Sequence, residues 1–138
     1  MAIGFILPLA LAVALAGCGD SKSKWVGTWE GQLEPLSEEE RKDPIAYTVN
    51  RVTLEVNQDG SFELIRGGMP NGGRVVFSKN KSILRLETIM GRPLENEPDN
   101  VRKQNPDIEI EWLDSGKIRL IDPNDFGRQP LILSKRNE

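Results

Sequence analysis

One thiol and no imidazole set the limits on chemistry in this chain. Cys18 is the sole cysteine of the 138 residues, and histidine is absent. A lone cysteine makes no internal disulfide, so stability must come from an apolar core. Without histidine the chain lacks the commonest metal ligand and the usual general base at neutral pH. Carboxylates are the acid–base groups that remain. Glu109 and Glu111 share one strand face, but they alternate with Ile108, Ile110 and Trp112. Paired catalytic carboxylates need a cleft and a perturbed environment, so this pair reads as a solvated face. Asp122-Pro123-Asn124-Asp125 matches a calcium loop in composition but not in ligand spacing, and it reads as a turn. Glu95-Asn96-Glu97-Pro98-Asp99 has the same weakness. No phosphate-binding loop, nucleophile motif or zinc spacing is present. The expectation is a protein that is not an enzyme and uses no cofactor or metal.

Cys18 has a distinctive setting. Ala2 to Gly17 read AIGFILPLALAVALAG, and no Lys, Arg, Asp or Glu occurs before the cysteine. The run is short for a spanning helix, which needs roughly 20 residues, and it suits the apolar region of an export signal. It ends in Leu15-Ala16-Gly17-Cys18, which resembles the lipobox of bacterial lipoproteins. That resemblance implies residues 1–17 as a signal peptide, cleaved before Cys18. It further implies a thioether-linked diacylglycerol on Cys18 and an acyl chain such as palmitate on its new amine. One chain anchors only marginally at about 0.8 kcal/mol per buried methylene, whereas two or three hold firmly. The family places Lys or Arg before the apolar run; here the amino terminus or an upstream start supplies that charge. Gly19 after the cysteine resembles the outer-membrane sorting pattern of Gram-negative relatives, with the protein facing the periplasm. Residues 18–24, small and polar after Cys18, read as the lipidated tether.

The remaining chain, 25–138, reads as one domain whose dominant period is two. Candidate strands run from Trp25 to Leu33 and from about Ala46 to Val56. Others surround Phe62 and Leu64, Val75 and Phe77, and Leu84 and Leu86. The last three carry Ile108, Ile110 and Trp112; Ile118 and Leu120; and Leu131 and Leu133. Turn signals fall at Gln58-Asp59-Gly60, Asn80-Lys81 and Asp114-Ser115-Gly116. Gly67 to Gly73 reads as a glycine-rich break, and Gly91 to Pro106 has no clear period. Ser37 and Glu40 match a capping box, which starts one short helix in the first long loop; Pro44 should stop it. About eight antiparallel strands joined by hairpins imply an all-β, up-and-down barrel. A barrel of this size is filled by side chains or holds one small ligand. The bulky inward set favours filling.

Gly27-Thr28-Trp29 on the first strand is similar to the Gly-x-Trp motif of the lipocalin superfamily. In that family the tryptophan closes the barrel base and a basic side chain packs across its ring. Arg136, just past the last strand, is the residue this resemblance implies, with Lys135 as its neighbour. The domain resembles small bacterial lipocalin-like proteins, though it is shorter than the transport lipocalins and lacks their disulfide. The resemblance implies a membrane-anchored barrel binding a small apolar ligand or lipid. The alternative is a structural or interaction module docking another envelope protein. A net charge of −3, from 18 basic and 21 acidic residues, gives no footprint for nucleic acid and no polybasic patch for anionic lipid.

Overall fold

A computed structural model describes residues 22–124 and 130–137. Cys18, the signal segment 1–17 and part of the loop from Asp122 to Gln129 therefore lie outside the described residues. The strands are β1 (Gly27–Gln32), β2 (Arg51–Val56), β3 (Ser61–Arg66), β4 (Met69–Val76), β5 (Lys81–Ile89), β6 (Arg92–Pro93), β7 (Ile108–Asp114), β8 (Lys117–Ile121) and β9 (Leu131–Lys135). All pairings are antiparallel, and eight strands close a ring in chain order, with the two-residue β6 appended to the edge of β5. Pairing of β1 with β9 closes the ring, with Trp29 opposite Lys135 and Glu30 opposite Ser134. The up-and-down barrel expected from the period-two pattern is present, and closure leaves no long unpaired edge.

The inward positions are those the alternation marks. Trp29, Val52, Leu54, Val56, Phe62, Leu64, Val75, Leu84, Leu86, Ile108, Ile110, Ile118, Leu120 and Leu133 are buried. Phe77, Trp112 and Leu131 are partly buried against them. Each fully buried aliphatic side chain contributes about 1.5–3 kcal/mol, so this single lumen is the core.

Several local expectations are corrected. Ala46 to Asn50 are not strand: a helix, α1, spans Pro44–Asn50, and β2 begins only at Arg51. Pro44 starts this helix rather than stopping one. Its missing N–H is harmless in the first turn, and the Asp43 carboxylate accepts from the Ile45 N–H at 2.9 Å. The Ser37–Glu40 box does form, with the Ser37 N–H donating to Glu40 Oε2 at 2.9 Å and the Glu40 N–H to Ser37 Oγ at 3.2 Å. It supports only a 3-10 turn, Glu40–Lys42.

The break at Gly67–Gly73 is mostly strand. Only Gly67 and Gly68 turn, at φ +59° and +79°, the paired positive values of a type I′ hairpin. Met69 onward pairs with β3. Gly72 and Gly73 sit in β4 where the register to β5 shifts. A Cβ on Gly73 would lie 1.9 Å from the Arg85 carbonyl oxygen, so close strand approach demands glycine there.

The aperiodic stretch after Gly91 carries β6, a 3-10 turn (Leu94–Asn96) and a second helix, α2 (Asp99–Gln104). Leu94 from that turn packs on the core. Among the described residues no helix is long and apolar enough to cross a membrane.

Candidate functional site

The barrel has two unlike ends. The first, the tryptophan end, gathers the N-terminal segment before β1, the β2–β3, β4–β5 and β7–β8 turns, and the residues after β9. All three tryptophans of the chain meet there. The Trp112 ring lies edge-on to both others, with centroids 5.4 Å from Trp25 and 5.9 Å from Trp29. Trp25 and Trp29 are fully buried. Their indole N–H groups are satisfied: Trp29 Nε1 donates to the Trp25 carbonyl at 2.9 Å, and Trp25 Nε1 to the Ser78 carbonyl at 3.0 Å. Paired indoles with bonded N–H groups make a stopper that excludes water without stranding a donor.

Lysines lie over the stopper. Lys24 Nζ is 4.7 Å from the Trp112 ring centre and 5.4 Å from that of Trp25. Lys135 Nζ is 5.3 Å from the Trp29 ring centre and donates to the Lys24 carbonyl at 3.3 Å. The cation across Trp29 is thus Lys135 and not Arg136. Strand alternation explains the exchange, because Lys135 stands in register with Trp29. Gly27 makes room for it: φ is +136°, and a Cβ there would meet Lys135 Cε at 2.8 Å. Arg136 turns outward instead and, with Arg51, donates to the carboxylate of Glu30. Burial opposes ionisation of Glu30, but the two guanidiniums outweigh it and hold its carboxyl below the usual carboxylate range.

The other end, the rim, holds α1, α2 and the turns after β3, β5 and β8. Arg66, at the end of β3, donates to Asp122 Oδ2 at 2.5 Å. Asp122 directly follows β8, and β3 and β8 are four strands apart around the ring of eight, so the ion pair crosses the mouth. The Asp122 side chain is 7% exposed. Its Oδ1 also accepts from the Asn124 N–H at 2.9 Å. Asp122 and Asn124 therefore take part in closing the mouth. Glu109 and Glu111 face outward from β7 and pair with Lys81 at 3.2 Å and Arg119 at 3.1 Å. Among the described residues no group of three potential metal ligands occurs.

With the lumen packed and both mouths crossed, the recesses of the described surface lie outside the barrel. One of them, about 530 Å³, runs along β1, β2 and the end of β9 between Thr28, Val56 and Arg136. Another, of about 310 Å³, lies between Glu30, Tyr47 and Arg51. Six of the large exposed apolar side chains sit instead around the rim: Leu33, Ile45, Tyr47, Val49, Met69 and Met90. Ile45 and Val49 are one helical turn apart on α1. The Met90 N–H bonds the Pro70 carbonyl at 2.8 Å, which sets Met90 beside the Met69 hairpin. Among the described residues, Met90 is also the non-glycine residue held at positive φ, +52°. A left-handed backbone disfavours a long side chain by about 1–2 kcal/mol.

Sequence reasoning missed Trp25 as a buried stopper and Lys24 as its cover. It placed Trp25 on a strand, whereas β1 starts two residues later. The signal available was the pairing of two tryptophans at the start of the chain's first strand with a third at the end of β7. The rim cluster left only the helical spacing of Ile45 and Val49 as a signal, because Leu33, Met69 and Met90 join them from separate stretches of chain. Comparison of the chain with protein-family models, with curated proteins and with solved structures finds no match.

Proposed function

We propose that the protein is a non-catalytic lipoprotein of the bacterial envelope, anchored through Cys18, whose filled barrel acts as an interaction module. The anchor reading is supported by Leu15-Ala16-Gly17-Cys18 at the end of an uncharged apolar run. In a Gram-negative host, Gly19 supports the outer membrane, facing the periplasm. Gly27 and Trp29 on β1, with a cation over the indole, support a lipocalin-like ancestry for the barrel.

One observation carries the choice of module over carrier. The lumen is occupied by its own side chains, while six of the nine large apolar groups left in solvent among the described residues lie at the rim. A carrier needs the reverse, an apolar cavity with a few convergent polar groups. Scattered surface apolar residues need no explanation, but a cluster marks a contact face. The partner it fits is another envelope protein.

Photocrosslinking in the host tests this. A photoreactive residue at Ile45, Val49 or Met90 is expected to give one discrete protein adduct. The same group at Glu63 or Arg85, exposed on the outer wall between the two ends, is expected to give none. Absence of a rim adduct, together with a small apolar molecule recovered from the purified barrel, would establish a carrier instead.

A further inference from the structure

The net charge of −3 conceals a separation of charge between the two barrel ends. At the tryptophan end, residues 22–26, 57–60, 77–80, 114–117 and 135–137 hold six cations against two carboxylates, Asp59 and Asp114. The cations are Lys22, Lys24, Lys79, Lys117, Lys135 and Arg136, of which Arg136 is paired with Glu30 on the outer wall and the five lysines form the patch. At the rim, residues 33–50, 67–68, 90–107 and 122–124 hold ten carboxylates against five cations. Lys22 Nζ lies 5.7 Å from the Phe77 ring centre, and Lys24 and Lys135 lie over indoles. Ring faces and backbone carbonyls position these ammonium groups without cancelling their charge. Lys79 and Lys117 are exposed. The polybasic patch that the overall charge argues against is therefore present, assembled from five separate stretches of chain.

We infer that the tryptophan end is a membrane-docking face whose lysines engage the headgroups of anionic phospholipids. The inference rests on the acylation of Cys18 proposed above, which fixes where the bilayer lies. Three residues lie between Cys18 and Lys22, so four residue steps give a reach of at most about 14 Å. The end of the barrel nearest the anchor is the cationic one. Screening acts over about 8 Å at physiological salt, so the short tether holds these lysines within the range of the surface charge. Each lysine near an anionic surface strengthens association about five-fold. The acidic rim is repelled by the same surface. Attraction at one end and repulsion at the other stand the barrel upright, with Ile45, Val49 and Met90 pointing away from the lipid.

The test uses the protein purified from its host membrane and reconstituted into vesicles of phosphatidylcholine, with or without phosphatidylglycerol. A fluorophore is placed on Ser115→Cys at the tryptophan end or on Asn96→Cys at the rim, and a quencher is carried on the lipid headgroups. With phosphatidylglycerol, quenching at Ser115→Cys is expected to exceed that at Asn96→Cys several-fold. High salt, or Lys79→Glu with Lys117→Glu, is expected to remove that excess. Equal quenching at the two sites overturns the proposal. So does an excess at Ser115→Cys that ignores phosphatidylglycerol, salt and charge reversal, because tether geometry alone then explains it.

The intact mass of the same sample reports the acyl groups, so failure of the anchor is read separately. If the chain carries no lipid, its sedimentation with phosphatidylglycerol vesicles still reads the docking face. There the two reversals are expected to weaken binding at least about 25-fold. Binding unchanged by them overturns the docking face.

Discussion

Leu54→Ala probes how completely the barrel is filled. Leu54 is fully buried at the middle of β2, opposite Trp29 on β1 and Leu64 on β3. Truncation removes three carbon groups, about 2.4 kcal/mol at 0.8 kcal/mol each. Neighbours held by closed ladders on both sides collapse little, so the cavity adds to that loss. The expected destabilisation is about 3–5 kcal/mol. At roughly 4 °C per kcal/mol for a domain of this size, the melting temperature should fall by about 12–20 °C. A second readout is more specific. The new cavity is apolar and enclosed, so millimolar benzene or indole should raise the melting temperature of the variant and leave that of the parent unchanged. A loss below about 1 kcal/mol, or equal stabilisation of the parent by the probe, would refute a filled lumen.

Further outcomes follow from the same geometry. Arg66→Ala leaves the Asp122 carboxylate without its counter-ion in a 7% exposed site, and urea melts should show a loss of about 1–3 kcal/mol. Lys135→Ala should cost about 0.5–2 kcal/mol through Trp29 and change the near-ultraviolet dichroism of the indoles. Arg136→Ala, which touches no ring, should leave that dichroism unaltered. Met90→Gly relieves a positive-φ position and should stabilise the fold by about 1 kcal/mol while weakening the rim adduct. Glu30 contributes stability above the ordinary carboxylate range, because its folded pKa is depressed. That contribution disappears as pH falls through the depressed value, so the melting temperatures of the parent and Glu30→Gln should converge in acid.

What the sequence discloses follows from how local each signal is. Alternation along a strand is written in successive residues, so Leu54, Leu84, Ile110 and Leu120 could be placed inward before any coordinates. Closure of eight hairpin-linked strands into a ring follows from the same pattern. The glycines of β4 misled because their role is set by the Arg85 carbonyl of the neighbouring strand. Pro44 carries one rule for stopping a helix and another for starting it, and Asp43 decides between them. Lys135 and Arg136 are adjacent, so a one-residue register to Trp29 determines which meets the ring. The Arg66–Asp122 pair and the sorting of charge between the ends join residues far apart in the chain. No window of sequence contains them.

Intact mass spectrometry of the protein released from its host membrane, under conditions that keep non-covalent ligands bound, reads the anchor on Cys18 and the occupancy of the lumen together. The expected result is a chain beginning at Cys18, carrying the diacylglycerol and amine-linked acyl masses, with no further molecule in the barrel. A chain that retains residues 1–17 without lipid, or a stoichiometric apolar ligand held by the barrel, would contradict it.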